Sequence, residues 1–339
     1  MSTIIRSPNW IGDGIMSLPA IRACRDHFPS ERLTVLAKRY LADIYLNIPE
    51  IDEILPIPDR WTVGSFVSAA RELRQKRFDR GILFTNSFSS ALLFRLAGVP
   101  SLAGYARDGR GWLLQQKTPR PGSLEQHHNY YLNIIEHWAG KRTTRDYASS
   151  LSVLPAERDW AAGRLAEQGI DPGLPLLAVS PGAAYGSAKA WPPERFHEFI
   201  RRWSERHPGF AVLLLGTAAE KERTSAVAAG LPGRILDLAG CLSLRQSIAI
   251  LSRCRMFIGN DSGMMHVAAA LGLPLAVIFG PTEPERTAPL AARFRLLYHG
   301  SDCAPCLHRD CPSDHRCMTA VGVDEVLAAA LDLWEEEVP

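Results

Sequence analysis

The sequence predicts an α/β protein built as two doubly wound halves, and three observations carry that reading. Short apolar runs rich in Ile, Val and Leu alternate with segments whose apolar residues recur at helical spacing. The alternation stops in a polar, turn-rich passage over 141–175 and then starts again. A chain of 339 residues, 46% hydrophobic and 22% charged, has the composition and length for two separate cores. Strand and helix alternation at this pitch implies parallel sheets with right-handed crossovers, and no solenoid period competes with it.

In the first half, TIIRS (3–7), LTVLAK (33–38), EILPI (53–57) and RGILFT (80–85) read as strands. The segments 14–28, 39–47, 64–77 and 88–97 read as helices, the first on the spacing of Ile15, Leu18 and Ile21. In the second half the strands are LLAVS (176–180), FAVLLLG (210–216), RILDLAG (234–240), MFIGN (256–260) and LAVIFG (275–280). Helices fall at 193–206, 218–230, 244–254 and 262–272, the first announced by Pro192-Pro193. The expected domains are 1–165 and 166–339. In open α/β sheets ligands lie outside the carboxyl ends of the strands, so two such domains are expected to face a cleft.

No run reaches the ~18 apolar residues of a membrane span, and no export signal opens the chain, so the expected location is cytoplasmic. Residues 1–150 hold 20 Lys+Arg against 14 Asp+Glu, hence +6, and the remainder holds 18 against 22, hence −4. The first half therefore favours an anionic partner, with charge spread over solvated helix faces as the plainer account. Of seven cysteines, Cys303, Cys306, Cys311 and Cys317 cluster with the spacing C-x2-C-x4-C-x5-C. The first pair resembles half a zinc knuckle and the rest does not, so a structural metal and reduced loop thiols both stand as readings.

NWIGDGIMS (9–17) nearly spells the G-x-G-x-x-G/A dinucleotide fingerprint, and it follows a strand and opens a helix. Asp13 at its centre argues against that use, because a carboxylate repels a pyrophosphate. Lys38 also stands where an NAD site wants an acid. Asp13 instead suits a general base for an attacking hydroxyl, or a helix N-cap. Three loops at strand ends of the second half carry anion- or ribose-binding groups. GNDSGMMH supplies Asp261, Ser262, Gly263 and, a turn on, His266. They form a helix N-terminus able to hold an anion, or simple capping and a packed histidine. SPGAAYGSAK supplies Ser180, Gly182 and Lys189, the last a mobile countercharge or an ordinary lysine, and FGPTEPERT supplies Thr282 and Glu283 on the same side as Asp261. Together they point to a nucleotide diphosphate in the second domain.

These motifs resemble the bacterial ADP-heptose heptosyltransferases of lipopolysaccharide core synthesis, glycosyltransferase family 9. NWIGDGIMSLPAIRA, PGAAYGSAKAWPPERF, GNDSGMMHVAAALG, FGPTEPERT and CAPCLHRDCPSDHRCM carry the resemblance over nearly the whole chain, most closely to the heptosyltransferase II type, with type I relatives next. The resemblance implies a GT-B fold of two Rossmann-like domains and an inverting, metal-independent transfer of L-glycero-D-manno-heptose from ADP-heptose, with no cofactor. The acceptor it implies is the first heptose of the inner core, on a phosphorylated lipid A-core molecule at the inner face of the inner membrane. Type I transfer would go to Kdo2-lipid A. By position, Asp13 is the base, Lys189 contacts the diphosphate, and Asp261, Ser262, Gly263 and His266 begin the donor-binding helix. Asn9, Arg107, Arg110, His127 and His128 are the acceptor contacts expected in the basic first domain, solvated loop charges being the other account of them. Met264 and Ser187 stand where many relatives have proline. Two other classes fit parts of the sequence: an NAD(P)-dependent oxidoreductase using Gly12 and Gly14, and a zinc-stapled interaction module on the four cysteines. A nucleotide-sugar epimerase is a fourth reading.

Overall fold

The computed structural model describes residues 1–120, 126–143 and 146–336. The chain divides into two compact units, Met1–Ser152 and Val153–Pro339. The first unit carries a six-stranded parallel sheet of β1 (Ser2–Arg6), β2 (Arg32–Lys38), β3 (Glu53–Ile57), β4 (Arg80–Leu83), β5 (Ser101–Tyr105) and β6 (Gln116–Thr118). Its spatial order is β3-β2-β1-β4-β5-β6. Strand order reverses between β1 and β4, where the crossovers leave to opposite faces and open a crevice at the carboxyl edge. Arg6 pairs with Leu83 there, so the NWIGDG loop and the loop after β4 leave the sheet side by side.

The second unit repeats the plan with β7 (Leu176–Ser180), β8 (Ala211–Leu214), β9 (Arg234–Asp237), β10 (Met256–Asn260), β11 (Leu275–Ile278) and β12 (Phe294–Leu297), ordered β12-β11-β10-β7-β8-β9. Its reversal lies between β7 and β10, and Ser180 pairs with Gly259, so the loop carrying Lys189 and the turn carrying Asp261 emerge together. The helix Pro193–Arg206 shows why the pattern was readable. Pro at its start suits the first turn, and Phe196, Phe199, Ile200 and Trp203 form one fully buried stripe against Val179, Ile258 and Leu333. Each such side chain contributes about 1.5–3 kcal/mol through burial.

The structure corrects several expectations. The boundary falls at 152/153 rather than 165/166, because the helix Pro155–Glu167 belongs to the second unit. Glu157 on that helix pairs with Arg245 at 2.5 Å, which ties it to the helix Leu244–Leu251. The expected helix 14–28 is two helices, Ile11–Met16 and Leu18–His27, broken at Ser17, with Pro19 in the first turn of the second. The segment 39–47 keeps only Ala42–Tyr45 as α-helix. Strands β5, β6 and β12 and the helices His127–Ala139, Pro155–Glu167 and Val323–Glu335 were not anticipated.

Candidate active site

Asp13 is the third residue of the helix Ile11–Met16, whose N-cap is Trp10, so the capping reading of Asp13 does not hold. Gly14 beside it serves packing: a Cβ there would lie 2.9 Å from Ile44 Cδ1. The glycine that completes the apparent fingerprint thus seats this short helix on Ala42–Tyr45. The Asp13 carboxylate is about one-quarter exposed, and His127 Nε2 approaches Oδ1 at 3.3 Å. Buried Tyr131 also hydrogen-bonds the carboxylate; burial first, then the Asp13 charge and this bond, push the phenol well above its ordinary pKa. Both partners sit in the first turns of His127–Ala139. The arrangement is an anchored carboxylate with part of its surface open, at the carboxyl edge of a parallel sheet.

In the second unit, Lys189 Nζ lies 2.6 Å from Asp261 Oδ2, and the Thr282 hydroxyl donates to the same oxygen at 2.7 Å. Asp261 is 5% exposed and Lys189 13%. Loops from β7, β10 and β11 therefore converge on one buried charge cluster at the reversal of strand order, as expected from their three motifs. Asp261 is spent on this cluster and not on capping. Ser262 is the N-cap of the helix Gly263–Ala270, yet its Oγ makes no capping bond and is buried with no hydrogen-bond partner. A buried hydroxyl left unpaired at the positive end of a helix costs about 1–3 kcal/mol, which a bound oxyanion would recover. Gly263 opens the helix and His266 is buried one turn in. Glu283 is instead turned into a local pair with Arg286 at 3.1 Å.

Comparison with known proteins decides what these two edges belong to. The model of glycosyltransferase family 9 (heptosyltransferase) matches residues 66–316. The chain belongs to this family. It is 29% identical to lipopolysaccharide heptosyltransferase 2 of Escherichia coli K12 over 314 residues, 88% of each chain. It is 30% identical to lipopolysaccharide heptosyltransferase 1 of Pseudomonas aeruginosa, covering 92% of this chain and 87% of that one. The structure of the E. coli ADP-heptose heptosyltransferase II superposes with a TM-score of 0.88 at 26% identity over 100% of both chains. This family 9 chain is therefore a glycosyltransferase with the two-domain α/β GT-B fold, and the oxidoreductase and interaction-module readings fall away.

Several groups of this glycosyltransferase were missed or misread from sequence. Arg110, expected to meet the acceptor, is fully buried. Its guanidinium donates to Tyr105 O at 3.0 Å, to Thr85 O and to Asn86 Oδ1, and burial pulls its pKa down to about 10. It pins the loops after β4 and β5. Arg107 is exposed, while His128 is partly buried, and burial lowers its pKa against the opposing pull of Asp146. Asn9 is held by Arg6 at 2.8 Å; Arg6 is itself buried, with its pKa pulled down to about 10 by desolvation.

Two residues that the sequence reading passed over shape the donor edge. Asn260 donates to Pro181 O at 2.9 Å and accepts from Trp191 N at 3.0 Å, so it fixes both ends of the lysine loop. Glu220 closes a T-x-x-E capping box with Thr217, and its carboxylate lies over Gly182, where any Cβ would collide with it. That box was the signal available in the sequence.

Cys303, Cys306, Cys311 and Cys317 line one pocket of about 200 Å³. Among the described residues, no group of three or more His, Cys, Asp or Glu is disposed to hold a metal ion, so the structural-metal reading finds no support in the geometry. The segment instead braces the donor loops. Tyr185 OH donates to Leu307 O at 2.8 Å, Ala188 N to Arg309 O at 2.9 Å, and Leu307 N to Pro281 O at 3.0 Å. His315 Nε2 lies 2.8 Å from Ala188 O. A Cβ at Gly186 would run into the backbone of Arg309.

Proposed function

We propose that the chain transfers a heptosyl residue from ADP-heptose to the first heptose of the lipopolysaccharide inner core, in the manner of the heptosyltransferase 2 relatives. The observation that carries the donor assignment is the Lys189–Asp261–Thr282 cluster at the strand-order reversal, beside the unpaired Ser262 hydroxyl. Its neighbour in structure is named for ADP-heptose. Lys189 and the N–H groups at Gly263 offset the charge that develops on the leaving diphosphate. Asp13 takes the proton of the acceptor hydroxyl as that oxygen attacks the anomeric carbon; the bond from that carbon to ADP breaks and the configuration inverts. No cofactor enters this scheme, and the cationic help for the leaving group comes from the chain's own residues.

The acceptor surface in this proposal is the carboxyl edge of the first sheet. Trp10, Tyr40, Phe88 and Trp112 are exposed there, in the segments that follow β1, β2, β4 and β5, with Lys38 ending β2, Arg39 next to it and Arg107 after β5. Parallel strands bring those loops to one edge, and aromatic rings with interspersed basic groups suit an anionic amphiphile at a cytoplasmic leaflet. No helix among the described residues is long and apolar enough to cross a membrane. The test is incubation with ADP-heptose and a panel of core-truncated lipopolysaccharides, read by mass spectrometry. Addition of one heptosyl unit only to acceptors that already carry the first heptose supports the reading. Addition to Kdo2-lipid A instead assigns the type I reaction.

A further inference from the structure

The proposed base does not stand alone, and what surrounds it was not visible in its motif. His127 opens the helix His127–Ala139 and presents Nε2 to Asp13 Oδ1 at 3.3 Å. Its ring stacks on Tyr130 with centroids 5.4 Å apart, and Tyr130 stacks on Tyr105 at 4.1 Å. The Tyr130 hydroxyl is bonded to Asn86 at 2.8 Å, and Asn86 is held by buried Arg110. Tyr105 OH donates to Tyr130 O at 2.8 Å, and Asn133 donates to Tyr105 OH at 3.1 Å. The imidazole is thus clamped by a packed aromatic column that runs back into β5, and it has little freedom to leave Asp13.

From this geometry we propose that His127 is the positioning residue of the Asp13 carboxylate and sets the acid side of its working range. The inference rests on Asp13 being the base. Neutral, with the proton on Nε2, His127 donates to Oδ1, fixes the carboxylate plane together with Tyr131, and leaves a lone pair for the acceptor hydroxyl. Protonated, it converts the carboxylate into an ion pair and weakens it as a base. Tyr45, from Ala42–Tyr45, is coupled to Asp13, and Tyr130, Tyr131 and His128 come from the same helix as His127, with Asp146 behind His128. The positive end of the helix opposes an imidazolium at its first residue while Asp13 favours one, so the balance responds to pH. This role differs from the acceptor contact expected of His127, because it acts through Asp13.

Two measurements test it. The first is the pH dependence of kcat/KM for the wild type, His127→Gln and His127→Phe. Gln keeps a donor and does not titrate, so His127→Gln is expected to lose the acid limb attributable to imidazole and to keep turnover within about fivefold on the alkaline plateau. His127→Phe is expected to lose kcat by about 10- to 100-fold, with KM for ADP-heptose little changed, as befits a misaimed base. The second is the NMR titration of the His127 ring in the full chain with and without Asp13→Asn. Removal of the carboxylate charge is expected to move that titration to lower pH.

A His127→Gln variant that keeps the wild-type pH profile, or whose loss lies only in the acceptor KM, overturns the proposal and returns His127 to acceptor contact. An NMR titration indifferent to Asp13→Asn overturns it too, whether or not that variant transfers heptose. An active Asp13→Asn enzyme, in contrast, removes Asp13 as the base and overturns the proposal together with the reading it rests on, even where the NMR titration shows the two side chains in contact.

Discussion

Replacing Lys189 with Met separates structure from ligand binding at the donor edge. The change removes an ammonium 2.6 Å from a carboxylate that is only 5% exposed, and leaves Asp261 with the Thr282 hydroxyl at 2.7 Å. Breaking a buried pair from one side costs about 3–5 kcal/mol. Lys189 is 13% exposed and Thr282 remains, which places this case near the lower end, about 3 kcal/mol. For a unit of this size that lowers Tm by about 6–12 °C. If Lys189 also meets the diphosphate, one charge-assisted contact of about 1.5–3 kcal/mol disappears, and the Kd for ADP rises about 10- to 100-fold. Denaturation and calorimetric titration with ADP read the two effects separately. The double variant Lys189→Met/Asp261→Asn removes both charges, so it should regain much of the stability without regaining ADP affinity. Weakened stability with ADP affinity kept within about twofold would refute the donor role and leave a structural ion pair.

Other outcomes follow from the same contacts. Gly186→Ala drives a methyl into the Arg309 backbone, so it should lower stability by about 1–3 kcal/mol and weaken ADP binding through the displaced lysine loop, as calorimetry would show. Gly14→Ala meets the tip of Ile44 at 2.9 Å, with Tyr45 OH at 3.4 Å, and should cost about 1 kcal/mol in denaturation while leaving ADP affinity unchanged. Arg110→Met should destabilise the first unit by about 2–3 kcal/mol, since Thr85 O, Tyr105 O and Asn86 Oδ1 each lose a guanidinium donor, and Arg110→Lys should restore little of it. The Arg245 hydrogen bond is the largest influence on Glu157 and holds its carboxyl below the ordinary range. The Glu157–Arg245 pair therefore contributes stability that is present above the unfolded pKa and lost as pH falls through the folded one. Glu157→Gln should flatten that part of the acid denaturation curve.

The sequence made the architecture legible where burial was two-sided and the pattern unbroken. β2, β7, β10 and the helix Pro193–Arg206 are long apolar runs or clean helical stripes, and they sit within a residue or two of their expected places. β5 and β6 were not anticipated. The three residues Gln116–Thr118 carry no apolar run at all, and SLAGY owes its strand to neighbours on both sides. The helix His127–Ala139 hid in a mixture of His, Asn and Tyr whose apolar face emerges only when Tyr131, Ile134 and Ile135 are seen buried together.

For the site, the contrast lies between contacts local to a strand end and contacts made across the sheet. Lys189, Asp261 and Thr282 each announced themselves in a loop after a strand, and parallel topology brought them together. The partners of Asp13 come from a distant helix: His127 was expected from sequence only as an acceptor contact, and Tyr131 left no local signal. Arg110 shows the opposite failure, because its charge suggested a surface contact and tertiary packing made it a buried clamp. The glycines of NWIGDG imitate a dinucleotide loop whose use Asp13 already argued against, and Gly14 has a packing role against Ile44.

The central claim is that Asp13 takes the proton of the acceptor in a heptosyl transfer. The direct test is Asp13→Asn, which keeps size and most hydrogen bonding, assayed for transfer from ADP-heptose beside a calorimetric measurement of donor binding. Turnover reduced by about 10²- to 10⁴-fold with donor affinity unchanged is the predicted result. Near wild-type turnover would contradict the account.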